Sequence, residues 1–255
     1  MQQSTRLPVE IWERIIDFCA HDSEVDLDSQ SLYACALTCR DWLLRSRMHL
    51  YDVVNLLTAD HFQRFLTVIR SNPTSGTFVR ELSLGFAGSD PESKEGTASK
   101  DFESTVDSSP NSGRDDSELK PHPKLLLNWI CMVPLHLLPL LPKLRSVYFV
   151  DLPIFNASTQ RYLSLFRSHT NINDYLQIAG SVMSCRDLAW FISCFPAVRN
   201  LTLNKVEVTA AASSPPTQPY RSHPTLTNLG VWMPSEPVLK TLLSWRSLDK
   251  IGGLV

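Results

Sequence analysis

The sequence predicts an α/β protein in which a small helical unit precedes a series of helix–strand units that build a parallel sheet. Two observations predict this fold. Residues 7–47 carry apolar side chains at helical spacing in three short segments, and a strand motif of apolar residues then recurs along the chain. With 255 residues and 43% hydrophobic content, the chain can bury the core of one large domain or two modest ones.

The first three helices are predicted within residues 7–47. Pro8 suits a first helical turn, and Glu10 is favoured near the positive end of the helix dipole. Apolar residues then recur at helical spacing through Cys19 and again from Leu32 to Cys39. A third, shorter helix follows over residues 41–47, and residues 49–56 are predicted to be extended.

The helix–strand alternation begins after this unit. Residues 58–71 place apolar side chains on one helical face, and the Asn-Pro pair at 72–73 ends that helix before a predicted strand at 79–84. Later, Ser184 and Asp187 form a capping-box pattern ahead of a helix that Pro196 ends. A strand is predicted after it, at 198–203.

The strand motif, L-x-x-L-x-L in a loose apolar sense, starts at 79, 144, 173, 198 and 226. The last four starts are separated by 29, 25 and 28 residues, which is the range of leucine-rich repeats. One strand and one helix cannot cover their own apolar face, so neighbouring units stack into a continuous core. The sequence therefore predicts an irregular leucine-rich-repeat-like solenoid with a parallel sheet. Apolar Leu152 and Val206 stand where such repeats usually carry an inward Asn or Cys.

Two segments break the pattern. Residues 87–122 are acidic, rich in serine and poor in apolar side chains, so they are predicted to be a disordered insertion. Residues 125–141 are almost uncharged, but Pro134 and Pro139 interrupt them, which favours two short buried elements over a membrane span.

Composition and motifs exclude several function classes. A net charge of −2 gives no electrostatic reason to bind nucleic acid or an anionic membrane. The six cysteines form no C-x-x-C pair and no zinc-ligand spacing, which indicates reduced, buried thiols in the cytoplasm or nucleus. The polar start of the chain carries no apolar signal segment. No phosphate-binding loop or catalytic motif is present, so we expect neither an enzyme nor a cofactor or metal site.

The N-terminal motifs carry a resemblance. Leu7-Pro8-x-Glu10-Ile11, the apolar pair Ile15-Ile16, Leu32 and Cys39-Arg40-x-Trp42 together resemble an F-box over about 45 residues. The segment after Trp42, from Arg45 to Tyr51, resembles the tail found in expanded fungal F-box families with irregular leucine-rich repeats. On this basis residues 1–48 are predicted to form the F-box, and residues 49–255 a leucine-rich-repeat-like domain that recognises a substrate.

The resemblance implies a substrate-recognition adaptor of a Skp–cullin–F-box E3 ubiquitin ligase. Its partners would be a Skp-type adaptor protein, through it a cullin, and an unidentified protein substrate. Two alternatives stay open: a non-catalytic Skp-binding scaffold, and a generic repeat-type interaction module outside ubiquitination. The adaptor contacts implied by the resemblance are Leu7, Pro8, Ile11, Ile15, Leu32 and Trp42, although Trp42 could equally fill the small F-box core.

A substrate-binding strip is predicted on the repeats. Arg80, Arg145 and Arg199 each occupy the first outward position of a strand motif. On parallel strands these positions lie on one face, and an arginine strip there would suit carboxylate or phosphate groups. The alternative is an ordinary solvated face.

Overall fold

The computed structural model of the chain describes residues 8–21, 29–85, 129–152, 157–209 and 225–232. The side chains of residues 21 and 157–159 are outside the description. Leu7 and the insertion predicted at 87–122 fall outside the described residues.

Three helices form the N-terminal unit: α1 (Val9–His21), α2 (Ser29–Thr38) and α3 (Arg40–Asp52). Their shared core is small and consists of Ile16, Ala20 and Leu32. Residues 49–52 continue α3, so the extended segment predicted at 49–56 is wrong in its first half. Helical continuation turns His49 towards Asp17 on α1, at 2.7 Å, and this contact is not readable from local sequence.

Six parallel strands form the main sheet. They are β1 (Val53–Leu56), β2 (Glu81–Gly85), β3 (Ser146–Val150), β4 (Tyr175–Ala179), β6 (Asn200–Asn204) and β8 (Asn228–Trp232), and they lie in the order β1-β2-β3-β4-β6-β8. A second, two-stranded parallel sheet pairs β5 (Val182–Ser184) with β7 (Glu207–Thr209). The predicted α/β class with a parallel sheet is confirmed.

Helical segments separate the strands. They are α4 (Ala59–Ser71), α5 (Pro73–Gly76), a segment at 129–140, α6 (Ala157–Leu163) with a 3₁₀ continuation (Ser164–Ser168), and α7 (Cys185–Ile192). The predicted cap of α7 is confirmed, since Ser184 Oγ accepts the Asp187 N–H at 3.1 Å and donates to its carboxylate at 2.6 Å. The segment at 129–140 passes from α-helix into a π-turn (Val133–Leu137) and a 3₁₀ turn (Leu138–Leu140). In the described part of the chain, every helix is too short or too polar to span a bilayer.

The strands pair in one continuous register, and the five strands that follow a predicted motif start each begin two residues after it. Those starts, such as Val79 and Leu144, are fully buried in the turn before the strand, ahead of the point where ladder pairing begins. Asn173 is exposed, and Ile172 before it takes the buried place. Side chains from every strand of the main sheet then fill two adjacent rows of the core. The first row is Val54, Leu82, Val147, Leu176, Leu201 and Leu229, and the second is Leu56, Leu84, Phe149, Ile178, Leu203 and Val231.

A row of tight turns follows strands β3, β4 and β6. Asp151, Gly180 and Lys205 occupy equivalent positions there with φ of 52°, 60° and 51°. An added Cβ at Gly180 would overlap Asp151 Oδ1, so any larger residue there would require the Asp151 side chain to move. The next residue along, Ser181, is fully buried, accepts the Leu152 N–H at 3.2 Å and donates to the Ala179 carbonyl at 3.0 Å. Ser181 therefore places a buried polar side chain at the position that Leu152 and Val206 occupy after the neighbouring strands. The repeat pattern pointed only to the apolar Leu152 and Val206, so it did not predict this polar residue.

Candidate functional site

The helical unit exposes an apolar stripe on α1. Ile16 and Ala20 face its small core, whereas Ile11, Ile15 and Phe18 are 40%, 39% and 65% exposed. These three residues stand at i, i+4 and i+7 and therefore lie on one side of the helix. We call them the α1 stripe. An exposed apolar stripe on a small domain is typical of a protein-docking surface.

The structure distributes the predicted adaptor residues over several environments. Pro8 is exposed at the start of α1, and Ile11 and Ile15 belong to the α1 stripe. Trp42 is half-buried against Trp12, with ring centroids 4.7 Å apart. Leu32 is fully buried, so in this conformation it supports the helices from inside and offers no surface to a partner.

Sequence reasoning missed several exposed apolar residues of the helical unit, among them Phe18, Tyr33 and Leu37. Phe18 extends the α1 stripe, while Tyr33 and Leu37 are 59% and 86% exposed one turn apart on α2. Their helical spacing from neighbouring apolar positions was a usable signal. It did not separate outward from inward faces, because α1 is apolar on both sides.

A charged cluster joins α1 to α3. Arg45 donates from Nε and Nη2 to the Asp17 carboxylate at 2.7 and 2.6 Å, and His49 Nε2 lies 2.7 Å from Asp17 Oδ1. The Arg45 hydrogen bonds, with a smaller contribution from His49, lower the pKa of Asp17 to about 2 against the opposing effect of burial. The cluster links α1 to α3 and so fixes the orientation of the helix that carries the α1 stripe.

The second surface is the face of the main sheet opposite the buried rows, which we call the open face. Tyr148 donates to Glu81 at 2.7 Å, and its ring lies 5.5 Å from that of Tyr175. Tyr175 in turn donates to Thr202 Oγ1 at 2.7 Å. Burial raises the pKa of Tyr148, and its bond to Glu81 raises it further, so the phenol stays a donor.

Amide side chains continue the open face towards β8. Asn228 donates to Asn200 Oδ1 at 2.6 Å, and Asn200 donates to the Asp174 carbonyl at 2.9 Å. Trp232, at the end of β8, is 59% exposed. Tyrosine, tryptophan and amide side chains on a rigid sheet suit protein recognition. The sequence signal for this surface was the set of polar and aromatic residues at the x positions of the L-x-x-L-x-L motif.

The predicted arginine strip is interrupted. Arg80, Arg145 and Arg199 do share one cross-strand row, because the Arg145 N–H donates to the Arg80 carbonyl at 2.8 Å and the row continues through Asp174 to β6. Asp174 separates Arg145 from Arg199, and Arg80 Nε lies 3.5 Å from Asp52. The row therefore mixes both charge signs, with Arg80 and Arg145 adjacent and Asp174 beside Arg199, and binding of an acidic partner along it stays a prediction.

The remaining reactive groups do not converge. Across the described ranges, no three His, Cys, Asp or Glu side chains are grouped so that they could hold a metal ion. All six cysteines lie in the described ranges, and none of them forms a disulfide. Cys131 and Cys194 are buried as predicted, and burial raises the pKa of the Cys194 thiol to about 12. Cys39 is exposed, so the prediction that it is buried is wrong.

The chain matches no model of a known protein family and no curated protein.

Proposed function

We propose that the chain is the substrate-recognition subunit of a Skp–cullin–F-box ubiquitin ligase. The observation that carries this proposal is the α1 stripe. A helical unit with a three-residue core leaves Ile11, Ile15 and Phe18 in solvent, on the helix whose sequence resembles the start of an F-box. In this role the stripe docks into an apolar groove of the Skp-type adaptor.

The open face supports the second half of the role. Its hydrogen-bonded tyrosines and amides are fixed by the sheet, so they lose little side-chain entropy on binding. α3 ends at Asp52 and β1 begins at Val53, so no linker separates the helical unit from the main sheet. A receptor needs both the α1 stripe and the open face, because the adaptor and the substrate must be bound at the same time.

The test is capture of the adaptor by a double variant, Pro8→Ala with Ile11→Asp. A carboxylate placed in an apolar contact costs several kcal/mol, so binding of a Skp-type adaptor should be lost while far-ultraviolet circular dichroism is unchanged. Val68→Asp is the matched control, since Val68 is also 40% exposed but lies on α4. Undiminished adaptor capture by the double variant contradicts the proposal.

Co-purification of a cullin separates a receptor from a scaffold. A receptor brings the cullin along with the adaptor and supports ubiquitin transfer to a bound protein. A chain that captures the adaptor but never a cullin is a scaffold.

A further inference from the structure

A cleft of about 220 Å³ lies where α3 meets the turns before β2 and β3. Arg45, Met48 and Asp52 line it from α3, and Phe78, Arg80 and Lys143 line it from the turns. The space is smaller than the roughly 300 Å³ at which pockets for drug-sized ligands begin. It fits a compact group or a single side chain.

The charge of the lining favours an anion. Three cations face one carboxylate, in a chain whose net charge is −2. Arg45 is held from behind by Asp17, through two hydrogen bonds of 2.6 and 2.7 Å. The cations left to meet a ligand are therefore Arg80 and Lys143.

These two cations are poised differently from Arg45. The Arg80 side chain is 62% exposed, and its Nε lies 3.5 Å from Asp52 Oδ1, which is beyond the length of a strong charge-assisted bond. Lys143 is exposed and makes no ion pair with any residue in the described ranges. Phe78 and Met48 add half-buried apolar walls beside this charged end.

We infer that this cleft binds a phosphomonoester, with the Arg80 guanidinium and the Lys143 ammonium on the phosphate oxygens and the ester carbon against Phe78 and Met48. A guanidinium fork matches phosphate geometry and a lysine adds a point charge. The phosphomonoester could be a small free metabolite or a phosphorylated serine side chain of a bound protein. The inference does not depend on adaptor binding, because no residue of the α1 stripe lines the cleft.

The test is calorimetric titration of the full chain with inorganic phosphate, with phenyl phosphate and with a short phosphoserine peptide. We expect saturable binding of phenyl phosphate or the phosphopeptide, tighter than that of inorganic phosphate. Lys143→Gln should weaken it at least about threefold, and the double variant Arg80→Gln with Lys143→Gln at least about tenfold, since bonds to charged groups are the strong ones. Arg64→Gln is the control, because Arg64 is exposed and lies on α4.

The arms of the titration distinguish the sources. A phosphopeptide that binds more tightly than phenyl phosphate identifies a protein ligand, and the reverse order identifies a small phosphate ester. Absence of saturable binding of all three probes at millimolar concentration overturns the inference. The inference is also overturned if the double variant binds the probes with the same affinity as the Arg64→Gln control. Lys143→Gln changes one exposed, unpaired side chain, so a folding defect cannot hide the result.

Discussion

The helical unit and the sheet unit differ in how they use apolar side chains. Among the described residues, three buried hydrophobic residues form the core of the helical unit, against thirty-six in the core of the sheet unit. Yet seven of the fourteen exposed large hydrophobic residues lie on α1, α2 and α3. The sheet unit is stabilised by a large core of its own, whereas the helical unit leaves more of its large apolar side chains exposed than buried, as the proposed docking role requires.

The largest effect is expected in the sheet core. Phe149 is fully buried, and its ring lies 4.9 to 5.9 Å from those of Phe166, Phe191 and Phe195. Phe149→Ala removes these contacts and leaves a cavity, so the free energy of unfolding should fall by about 3–5 kcal/mol. Urea denaturation measures it, and a loss below about 1 kcal/mol would mean that this core is not closely packed.

A smaller loss is expected at the turn after β4. Gly180→Ala forces a side chain into a left-handed backbone and against the Asp151 carboxylate, which should cost at least about 1–2 kcal/mol. Gly230→Ala is the control, since Gly230 lies within β8 and the nearest atom to an added Cβ is Thr202 Oγ1, at 3.2 Å. Equal melting temperatures for the two variants would show that the turn row carries no strain.

The helical unit should show a distinct acid dependence. The lowered pKa of Asp17 means that its bonds to Arg45 and His49 stabilise the fold above pH about 4 and are lost as pH falls towards 2. Because the pair is one-third exposed, the effect is about 1 kcal/mol after allowance for solvent screening. Asp17→Asn should remove this loss, which is measured as the difference between the free energies of unfolding in urea at pH 5 and at pH 2.5.

Asp60→Asn is the matched control for this effect. Asp60 also pairs with an arginine, Arg64 at 2.8 Å, but both side chains are more than 60% exposed. The Asp60→Asn variant should lose the same free energy of unfolding between pH 5 and pH 2.5 as the wild type. If the Asp17→Asn and Asp60→Asn variants lost the same free energy of unfolding on acidification, the acid sensitivity would not come from Asp17.

The smallest effect on stability is expected at Phe18, where the comparison between the two units is sharpest. Phe18→Ala makes the same deletion as Phe149→Ala, but at a side chain that is 65% exposed, so unfolding should change by less than about 0.5 kcal/mol. The same variant should weaken adaptor binding at least about tenfold, as buried aromatic anchors do at interfaces. A variant that loses stability but keeps adaptor affinity would reverse our assignment of this residue.

Periodicity predicted the elements and the sheet because every repeat buries the same positions. It placed the start of each of the five motif strands two residues early, since residues such as Val79 and Leu144 are buried before hydrogen-bond pairing begins. Periodicity could not predict the Asp17–Arg45 pair, whose members are 28 residues apart and meet only in the tertiary fold. The Tyr148–Tyr175 pair likewise depends on the register between β3 and β4.

The candidate sites were predicted less completely than the fold. Local sequence identified Ile11 and Ile15 by position, but it also assigned a contact role to Leu32, which the packing of α1 on α2 buries. It singled out Arg80 as part of a strip along the strands. The structure places Arg80 beside Lys143, which belongs to the turn before β3.

The most direct test of the central claim is the hydrogen–deuterium exchange footprint of a Skp-type adaptor on the full chain. If the helical unit is the docking unit, the adaptor should slow exchange in α1 and at the exposed end of α2. It should leave β3, β4 and β6 unchanged. Unaltered exchange in α1 at saturating adaptor, or protection confined to the strands of the main sheet, would contradict the claim.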